Sequence, residues 1–386
     1  DDAGVPQGGG TGGGSGVDDG GALSDAGQSS DSGTPDSGAQ DSGLPDAGPV
    51  STPYAFVGST DGLIRVYRVD LDAGTFFTPP STTDGGARPS FLAISPDKRS
   101  LFACNEANTG TISAFSIGDG GALTFENKVS SGGSGPAHVA TDRTGRWVLS
   151  SNYTSGDVAV LPVVDGGLGA AVSTDSPGNN AHQMVTDLSN RYAFVPLKGS
   201  SKVAQYLFNK TTGAITANAV PALATDAGAG PRHLAFHPNG KWVYLVNENA
   251  STVQALFLTG ATGELSDMQT LSTLPAGFTG QNTGGEIQVH PNGNFVYVSN
   301  RGHDSIAIFS VNQTSGHLTL VGHSPSGGQS PRMFSIDPTG TRMFVGDELT
   351  NSIQAFSIDP ISGLLSPLGE AAAVPTPQFV EIVFLP

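Results

Sequence analysis

Residues 231–246 read PRHLAFHPNGKWVYLV, and this stretch decides the fold. It contains two apolar runs, rich in β-branched and aromatic residues, on either side of a Pro-Asn-Gly turn at residues 238–240. Runs of this kind suit a pleated, half-buried surface, and the turn between them favours an antiparallel pair of strands. We therefore interpret 231–246 as the first two strands of a β unit.

The same unit recurs along the chain. Its first half returns at residues 91–97, 287–293 and 334–340, and its second half at 295–298 and 343–345. A third apolar run follows a polar loop, as at residues 112–115, 158–160, 203–206, 253–256, 306–309 and 353–356. Because no helical period separates these runs, four short strands per unit indicate a propeller blade rather than a sandwich or a βαβ fold.

Seven units can be counted from the residue that opens each of them. These residues, 44 to 53 positions apart, are Pro89, Pro136, Asn180, Pro231, Gly284, Pro331 and Pro377. The last unit has only one strand after its start, at 379–384, whereas residues 54–57 resemble a second strand without a first. We therefore predict an all-β fold, a seven-bladed β-propeller with four-stranded antiparallel blades, in which the C-terminal strand pairs with the segment from Tyr54 and closes the ring.

The N-terminal segment has a different composition. The first fifty residues contain nine Asp and no Lys, Arg or aromatic residue, and such a segment cannot bury enough apolar surface to fold. The sequence predicts a low-complexity, acidic Gly/Ser/Asp/Pro-rich stalk or linker over residues 1–52 and the propeller over 53–386. An Asp-x-Gly motif recurs every five residues over 31–48, which indicates a solvated spacer or a tract that collects calcium.

Charge and motifs exclude several classes of function. The net charge is −17 and no basic stripe interrupts it, so we expect no nucleic-acid partner. No apolar run approaches the roughly 18 residues of a membrane span, so we expect no transmembrane segment. The chain has no Gly-rich phosphate loop, no His-Glu-x-x-His spacing and no Gly-x-Ser-x-Gly elbow, so we expect neither a cofactor nor a metal. The stalk and the lack of signal-peptide features predict a mature exported bacterial protein, either secreted or tethered to the surface.

The fold predicts where chemistry is concentrated. The start of each first strand and the end of each second strand open on one face of the ring, because the two strands are antiparallel. The third residues of the units are Phe91, His138, His182, His233, Glu286, Met333 and Phe379, and the second-strand exits are residues 105–106, 152–153, 247–248, 300–301 and 347–348. These groups converge on one mouth of the channel. Arg232 and Arg332 stand one residue before the third position, so strand alternation leaves their direction open.

Some of these motifs resemble a known family. The segments that carry the resemblance are residues 230–234, 237–240, 247–248, 290–293, 299–304 and 330–332. They are similar to the lactonase seven-bladed propellers, which include 6-phosphogluconolactonase-like and carboxy-cis,cis-muconate cyclase-like proteins. The similarity extends from about Tyr54 to Pro386.

This resemblance implies metal-free chemistry on a small lactone or carboxylate at the channel mouth. The family's functional positions correspond here to His182, Arg232, Glu248 and Arg301, which we take as the catalytic candidates. The guanidinium groups would hold a carboxylate and the developing negative charge, and Glu248 or His182 would activate water or move a proton. His138, His233, Glu286 and Arg332 are candidate substrate-binding residues from their places at the mouth.

Two hypotheses of function follow. The first is an exported lactonase-like enzyme, a hydrolase or cycloisomerase, acting on a carboxylate-bearing lactone. The second is a non-catalytic surface propeller, a binding or structural module that forms homo-oligomers or a surface assembly through its stalk. The second gains from Asn180, which stands where the family has the first His of a His-Ala-His motif.

Overall fold

The structure is a computed structural model that describes residues 51–386 as seven antiparallel sheets arranged in a ring. Five sheets have four strands and two have five, which confirms the predicted seven-bladed propeller. Among residues 51–386 the helical elements are two 3-10 turns, Asp119–Gly121 and Lys198–Ser200, and neither is long enough to cross a bilayer. The predicted stalk lies outside the described residues, apart from its last two positions.

The blades follow one another along the chain, and in blades 2 to 7 the first strand is the innermost. Blade 1 contains β1 (Thr52–Ser59), β2 (Leu63–Asp70), β3 (Thr75–Phe76) and β4 (Ser81–Asp84), blade 2 contains β5 (Pro89–Ile94), β6 (Ser100–Asn105), β7 (Thr111–Ile117) and β8 (Leu123–Ser130), and blade 3 contains β9 (Pro136–Thr141), β10 (Trp147–Asn152), β11 (Val158–Val164), β12 (Gly167–Leu168) and β13 (Ser173–Asp175). Blade 4 contains β14 (Val185–Thr186), β15 (Tyr192–Leu197), β16 (Lys202–Phe208) and β17 (Ile215–Ala224), and blade 5 contains β18 (Pro231–Phe236), β19 (Trp242–Asn247), β20 (Thr252–Thr259) and β21 (Glu264–Ser272). Blade 6 contains β22 (Thr283–Val289), β23 (Phe295–Arg301), β24 (Ser305–Val311) and β25 (Leu318–Pro325), and blade 7 contains β26 (Pro331–Ile336), β27 (Arg342–Asp347), β28 (Ser352–Ile358) and β29 (Leu365–Ala373).

The ring closes through the last strand, β30 (Pro377–Leu385). It pairs antiparallel with β1, with Tyr54 opposite Val383 and Phe56 opposite Glu381, and so becomes the innermost strand of blade 1. The predicted pairing of the C-terminal strand with the segment from Tyr54 is therefore confirmed. Blade 1 consequently has an innermost strand like the other six blades, and the inner edge of β1 is paired.

Neighbouring blades are joined by one contact that recurs around the ring. An aromatic residue at or near the start of a second strand packs on a glycine in the turn between strands three and four of the next blade. The pairs are Trp147 with Gly213, Tyr192 with Gly263, Trp242 with Gly316 and Phe295 with Gly363. Each of these glycines has a positive φ between 73° and 75°. A Cβ on any of them would collide with the aromatic ring that packs there. The chain therefore needs glycine there for both its backbone and its packing.

Turn histidines add a second link between blades. His237 contacts the Gly293 carbonyl oxygen through Nε2 at 2.9 Å, and His290 contacts that of Gly340 at 2.8 Å. Each ring also accepts a hydrogen bond from a backbone N–H of its own turn. These two histidines lie away from the mouth and serve the structure.

The second strands carry a recurrent Asn opposite the residue that opens each unit, as in Asn152 and Asn300. The Asn152 side-chain amide donates to the Ser131 carbonyl at 3.0 Å, and that of Asn300 to the Thr273 carbonyl at 2.8 Å. In blade 7 the corresponding residue is Asp347, which is fully buried. Neither of its carboxyl oxygens makes a well-aligned hydrogen bond among the described residues. Burial, with Asp304 nearby, outweighs the opposing effect of the Ser326 hydroxyl and raises the pKa of Asp347 to about 7.

The blade contact predicts that Gly316→Ala destabilises the protein more than Gly166→Ala. Both glycines have a positive φ, 75° and 82°, but a Cβ on Gly316 would lie 2.5 Å from the Trp242 ring, whereas one on Gly166 meets nothing within 4 Å. We expect G166A to cost about 1 kcal/mol from backbone strain and G316A roughly 1 to 3 kcal/mol more from overpacking. Urea unfolding of both variants measures the difference, and equal losses would contradict the packing role.

The raised pKa of Asp347 predicts that Asp347→Asn becomes more stable than the wild type as pH rises. Because the folded-state pKa is raised above the unfolded value, the wild type loses stability as pH rises from about 4 to about 7. The amide of D347N does not ionise, so the variant should be more stable by roughly 2 to 4 kcal/mol at pH 8 and similar to wild type at pH 4. Asp72→Asn removes an exposed carboxylate and is the control for net charge. Parallel stability curves for wild type and D347N would refute this account.

Candidate functional site

The innermost strands enter the ring with an irregularity at their second residue. The register shifts between Pro231 and His233 in blade 5 and between Pro331 and Met333 in blade 7, and blades 1, 2 and 3 shift at the same place. In blade 6 the irregularity is longer and lies between Gly284 and Ile287. A β-bulge of this kind leaves one residue unpaired and redirects its side chain. The bulged residues include Arg232 and Arg332, and the bulge turns both toward the mouth. This settles the direction that strand alternation left open.

Glu248 is the centre of the site. Its carboxylate lies 2.6 Å from Lys198 Nζ, 3.0 Å from Arg232 Nε and 3.2 Å from Arg301 Nη2. The fourth neighbour is His182, whose Nε2 lies 3.8 Å from Glu248 Oε2. The structure thus brings together all four catalytic candidates, which come from blades 4, 5 and 6.

The backbone of blade 6 fixes the two arginines. Arg232 Nη1 donates to the Gly285 carbonyl at 2.7 Å, and Arg301 Nη2 donates to the Gly284 carbonyl at 2.7 Å. Both carbonyls belong to the irregular entry of β22. The guanidinium groups are therefore held from two sides, by a carboxylate and by main-chain oxygens.

Lys198 is a site residue that the sequence analysis missed. It follows β15 directly, at the second-strand exit of blade 4, just as Glu248 follows β19 in blade 5. The exits of blades 2, 3, 5, 6 and 7 show Asn or Asp followed by a second residue, whereas blade 4 reads Leu197-Lys198. Aligning the exits by position instead of by residue type would have identified Lys198.

Charge at the mouth is unevenly balanced. Burial raises the pKa of Glu248, but Arg232, Arg301 and Lys198 outweigh burial and hold the pKa below its ordinary value. Burial, with Arg301 beside it, lowers the pKa of Arg232 to about 9, which leaves it cationic at neutral pH. Lys198, Arg232 and Arg301 surround Glu248, and the cavity lining adds Arg332 and Glu106. Cations therefore outnumber carboxylates there, so the mouth attracts anions although the whole chain is acidic.

His182 is the neutral imidazole of the cluster. It lies in the irregular entry of blade 4, where its backbone N–H donates to the Pro196 carbonyl at 3.0 Å, and the Tyr153 ring packs edge-on at 5.5 Å. Its Nδ1 is buried without a partner among the described residues, and its Nε2 faces Glu248. Burial, followed by nearby Arg232, lowers the pKa of His182 well below its ordinary value. The imidazole is therefore unprotonated at neutral pH and can accept a proton.

A small cavity opens at these residues. Its volume is about 170 Å³, and its lining includes Glu106, Tyr153, His182, Lys198, Glu248, Arg301 and Arg332. No carboxylate among residues 51–386 lies within salt-bridge distance of Arg332. This guanidinium is thus available to an anion that enters the cavity. Within the same range no three His, Cys, Asp or Glu side chains converge as metal ligands.

The third residues of the units form a layer of large side chains across the channel. The Phe91 ring lies 4.2 Å from His138, 5.8 Å from His233 and 4.7 Å from Phe379, measured between ring centroids. We call these four rings, with Glu286 and Met333, the ring layer. Beyond it the fifth residues of several units are small, including Ala93, Ala140 and Ser335, and a second cavity of about 420 Å³ remains there.

The ring layer separates the candidate substrate-binding residues. Arg332 lines the mouth cavity, whereas His138 and Glu286 line the second cavity. His233 lies between the two and contacts Glu286 Oε2 through Nδ1 at 2.7 Å. Burial lowers the pKa of His138 to about 3, so this histidine is neutral. Of the four candidates, only Arg332 lines the same cavity as His182 and Glu248.

Comparison with known proteins gives one family. A family model described as "Lactonase, 7-bladed beta-propeller" matches residues 54–382. The chain is 34% identical to a 6-phosphogluconolactonase of Pectobacterium carotovorum over 274 residues, which cover 71% of this chain and 81% of that protein. It is also 34% identical to a 6-phosphogluconolactonase of Bacillus subtilis over 291 residues, covering 72% and 82%.

Among solved structures, the periplasmic gluconolactonase of Pseudomonas aeruginosa is similar throughout. The TM-score is 0.80 at 28% sequence identity, and the match covers 87% of this chain and 100% of that structure. The family match over residues 54–382 includes Glu248 and its cationic neighbours.

Proposed function

Because the chain belongs to the lactonase family of seven-bladed β-propellers, we propose that it hydrolyses a small anionic lactone at the channel mouth. The observation that carries this proposal is the cluster around Glu248, where a neutral imidazole and several cations line one cavity. Lactone hydrolysis needs a base for water and positive charge for the carbonyl oxygen, and this cavity offers both.

The proposed base is His182. Its Nε2 takes a proton from water as the water oxygen attacks the lactone carbonyl carbon. The resulting imidazolium lies beside the Glu248 carboxylate, which stabilises it. The same proton then passes to the ring oxygen as the carbon–oxygen bond of the ring breaks, so that the product is a hydroxy acid. Glu248 is not the proposed base, because three cations hold its pKa below the ordinary value.

The cations take two proposed roles. Arg301 and Lys198 line the cavity beside Glu248 and stabilise the negative charge that develops on the carbonyl oxygen. Arg332 binds the carboxylate or another anionic group of the substrate, because it has no salt-bridge partner among the described residues. The proposed substrate class is therefore a lactone that bears one anionic group.

Asn180 bears on the alternative of a non-catalytic module. Its side-chain amide donates to the Tyr153 carbonyl at 3.1 Å, and its backbone has a positive φ of 55°, which Asn tolerates. Asn180 thus holds the segment that leads to His182, and the replacement of the family's His leaves the candidate base in place. For this reason we favour the enzyme over the module.

We further propose that the protein acts outside the cytoplasm. The acidic, low-complexity composition of residues 1–50 supports this, as does similarity to a gluconolactonase described as periplasmic. Fractionation of cells that produce the natural protein should find it in the periplasmic, surface or medium fraction. Recovery with a cytoplasmic marker enzyme would contradict export.

The activity is tested with purified protein on lactones with and without an anionic group. We expect ring opening with preference for the anionic lactones, and His182→Ala should lower kcat by about 10² to 10³, because a general base contributes roughly this much. A pH-stat assay measures the acid that is released. His317→Ala, which removes an exposed histidine of an outer loop, is the matched control and should leave kcat unchanged.

Two outcomes would contradict the proposal. The first is the absence of turnover on every lactone tested by the folded wild-type protein. The second is turnover that H182A retains in full. Arg332→Ala adds a check on the substrate class, since it should abolish the preference for anionic lactones while neutral lactones react as before.

A further inference from the structure

Arg232 connects the mouth with the ring layer below it. Its Nε lies 3.0 Å from Glu248 Oε2, whereas its Nη1 lies 3.2 Å from His233 Nδ1. His233 in turn contacts Glu286 Oε2 through the same nitrogen at 2.7 Å. Arg232 and His233 are both at most 3% exposed. One guanidinium therefore lies between two carboxyl groups, of which only Glu248 belongs to the mouth.

Glu286 is neutral when the site is in this arrangement. The charged and titratable groups that face it are His233 and Arg232 from β18 and Glu381 from β30, and Arg332 from β26 acts on His233. Burial raises the pKa of Glu286 to about 8, and burial with Arg232 lowers the pKa of His233 well below its ordinary value. At neutral pH a protonated carboxyl therefore lies against a neutral imidazole, and this pair carries no charge.

We propose that Glu286 is a positioning residue of the site: its protonated form leaves Arg232 paired with Glu248, and its ionised form draws Arg232 down toward the ring layer. Ionisation places a second carboxylate within reach of the same guanidinium, and a buried charge pairs with the nearest opposite charge. Glu286 lines the second cavity and does not touch the substrate.

The consequence at the mouth concerns substrate binding. Once Arg232 moves away, Glu248 is balanced only by Lys198 and Arg301. The mouth then has less net positive charge to attract an anionic lactone and to stabilise the charge on the carbonyl oxygen. The inference rests on the proposed function and predicts that KM for an anionic lactone rises above pH 8 and that kcat falls with it.

The test compares the wild type with Glu286→Gln between pH 7 and pH 9. The Gln side chain keeps the size of the protonated acid and can both donate and accept a hydrogen bond, but it cannot ionise. For an anionic lactone we expect KM of the wild type to rise roughly tenfold with a fall in kcat, whereas KM of E286Q should stay within about twofold. Glu370→Gln is the control for net charge, since Glu370 is exposed on β29 and lines neither cavity, and it should retain the rise.

The outcomes separate two explanations of an alkaline rise. If Arg232 loses its own proton, the rise in KM persists in E286Q, and that result would overturn the role of Glu286. A change in kcat without a change in KM would also overturn it.

A structural readout keeps the inference independent of turnover. Crystal structures of the wild type at pH 6.5 and pH 9 should show Arg232 exchanging its contact with Glu248 for one with Glu286, and the E286Q structures should not differ. An unchanged Arg232 in the wild type rules out the positioning role even in an active enzyme. If Arg232 moves in a wild-type protein that opens no lactone, the lactonase proposal is refuted but the positioning role of Glu286 is not.

Discussion

The pairing of β30 with β1 is the constraint on which the ring depends. Two strands more than 300 positions apart in the chain form the inner half of one blade, and every other innermost strand comes from its own unit. Without this pairing blade 1 would have no innermost strand, and Phe379 would be lost from the ring layer. The circle then fixes the spacing of all seven strand entries. Residues from blades 4, 5 and 6 meet at Glu248 because of that spacing, since none of the three blades alone holds the cluster.

The site itself is a balance of burial and charge. A carboxylate, two guanidinium groups and an ammonium group lie largely out of water, which is unfavourable for each of them alone. Their mutual contacts, together with main-chain carbonyls at the entry of β22, offset that cost. The balance leaves the mouth with excess positive charge, and the histidines beside it stay neutral because they are buried among cations. The same buried cluster of charges therefore attracts an anion and keeps a neighbouring imidazole nitrogen unprotonated.

The sequence predicts the fold almost completely and the site in part. Repeated strand pairs such as 231–246 predict the blades, and the incomplete last unit predicts how the ring closes. Both predictions are possible because each pattern can be recognised in a short segment of sequence. The direction of Arg232 could not be predicted, since a β-bulge changes strand alternation and leaves no mark in residue type. Lys198 was missed because its blade departs from the Asn motif of the other exits. The position of Glu286 in the second cavity could not be predicted either. Strand alternation predicts which face of a strand a side chain is on, but not how far along the channel it lies.

The ring layer has a consequence for how substrate and product enter and leave the channel. Phe91, His138, His233 and Phe379 lie between the two cavities and separate one from the other. In the hydrolysis proposed above, the product would therefore leave by the opening through which the substrate arrived. Ring opening creates a new carboxylate, which the cations of that opening would retain. Product and substrate would then compete for the same cavity, so we expect accumulated hydroxy acid to act as a competitive inhibitor.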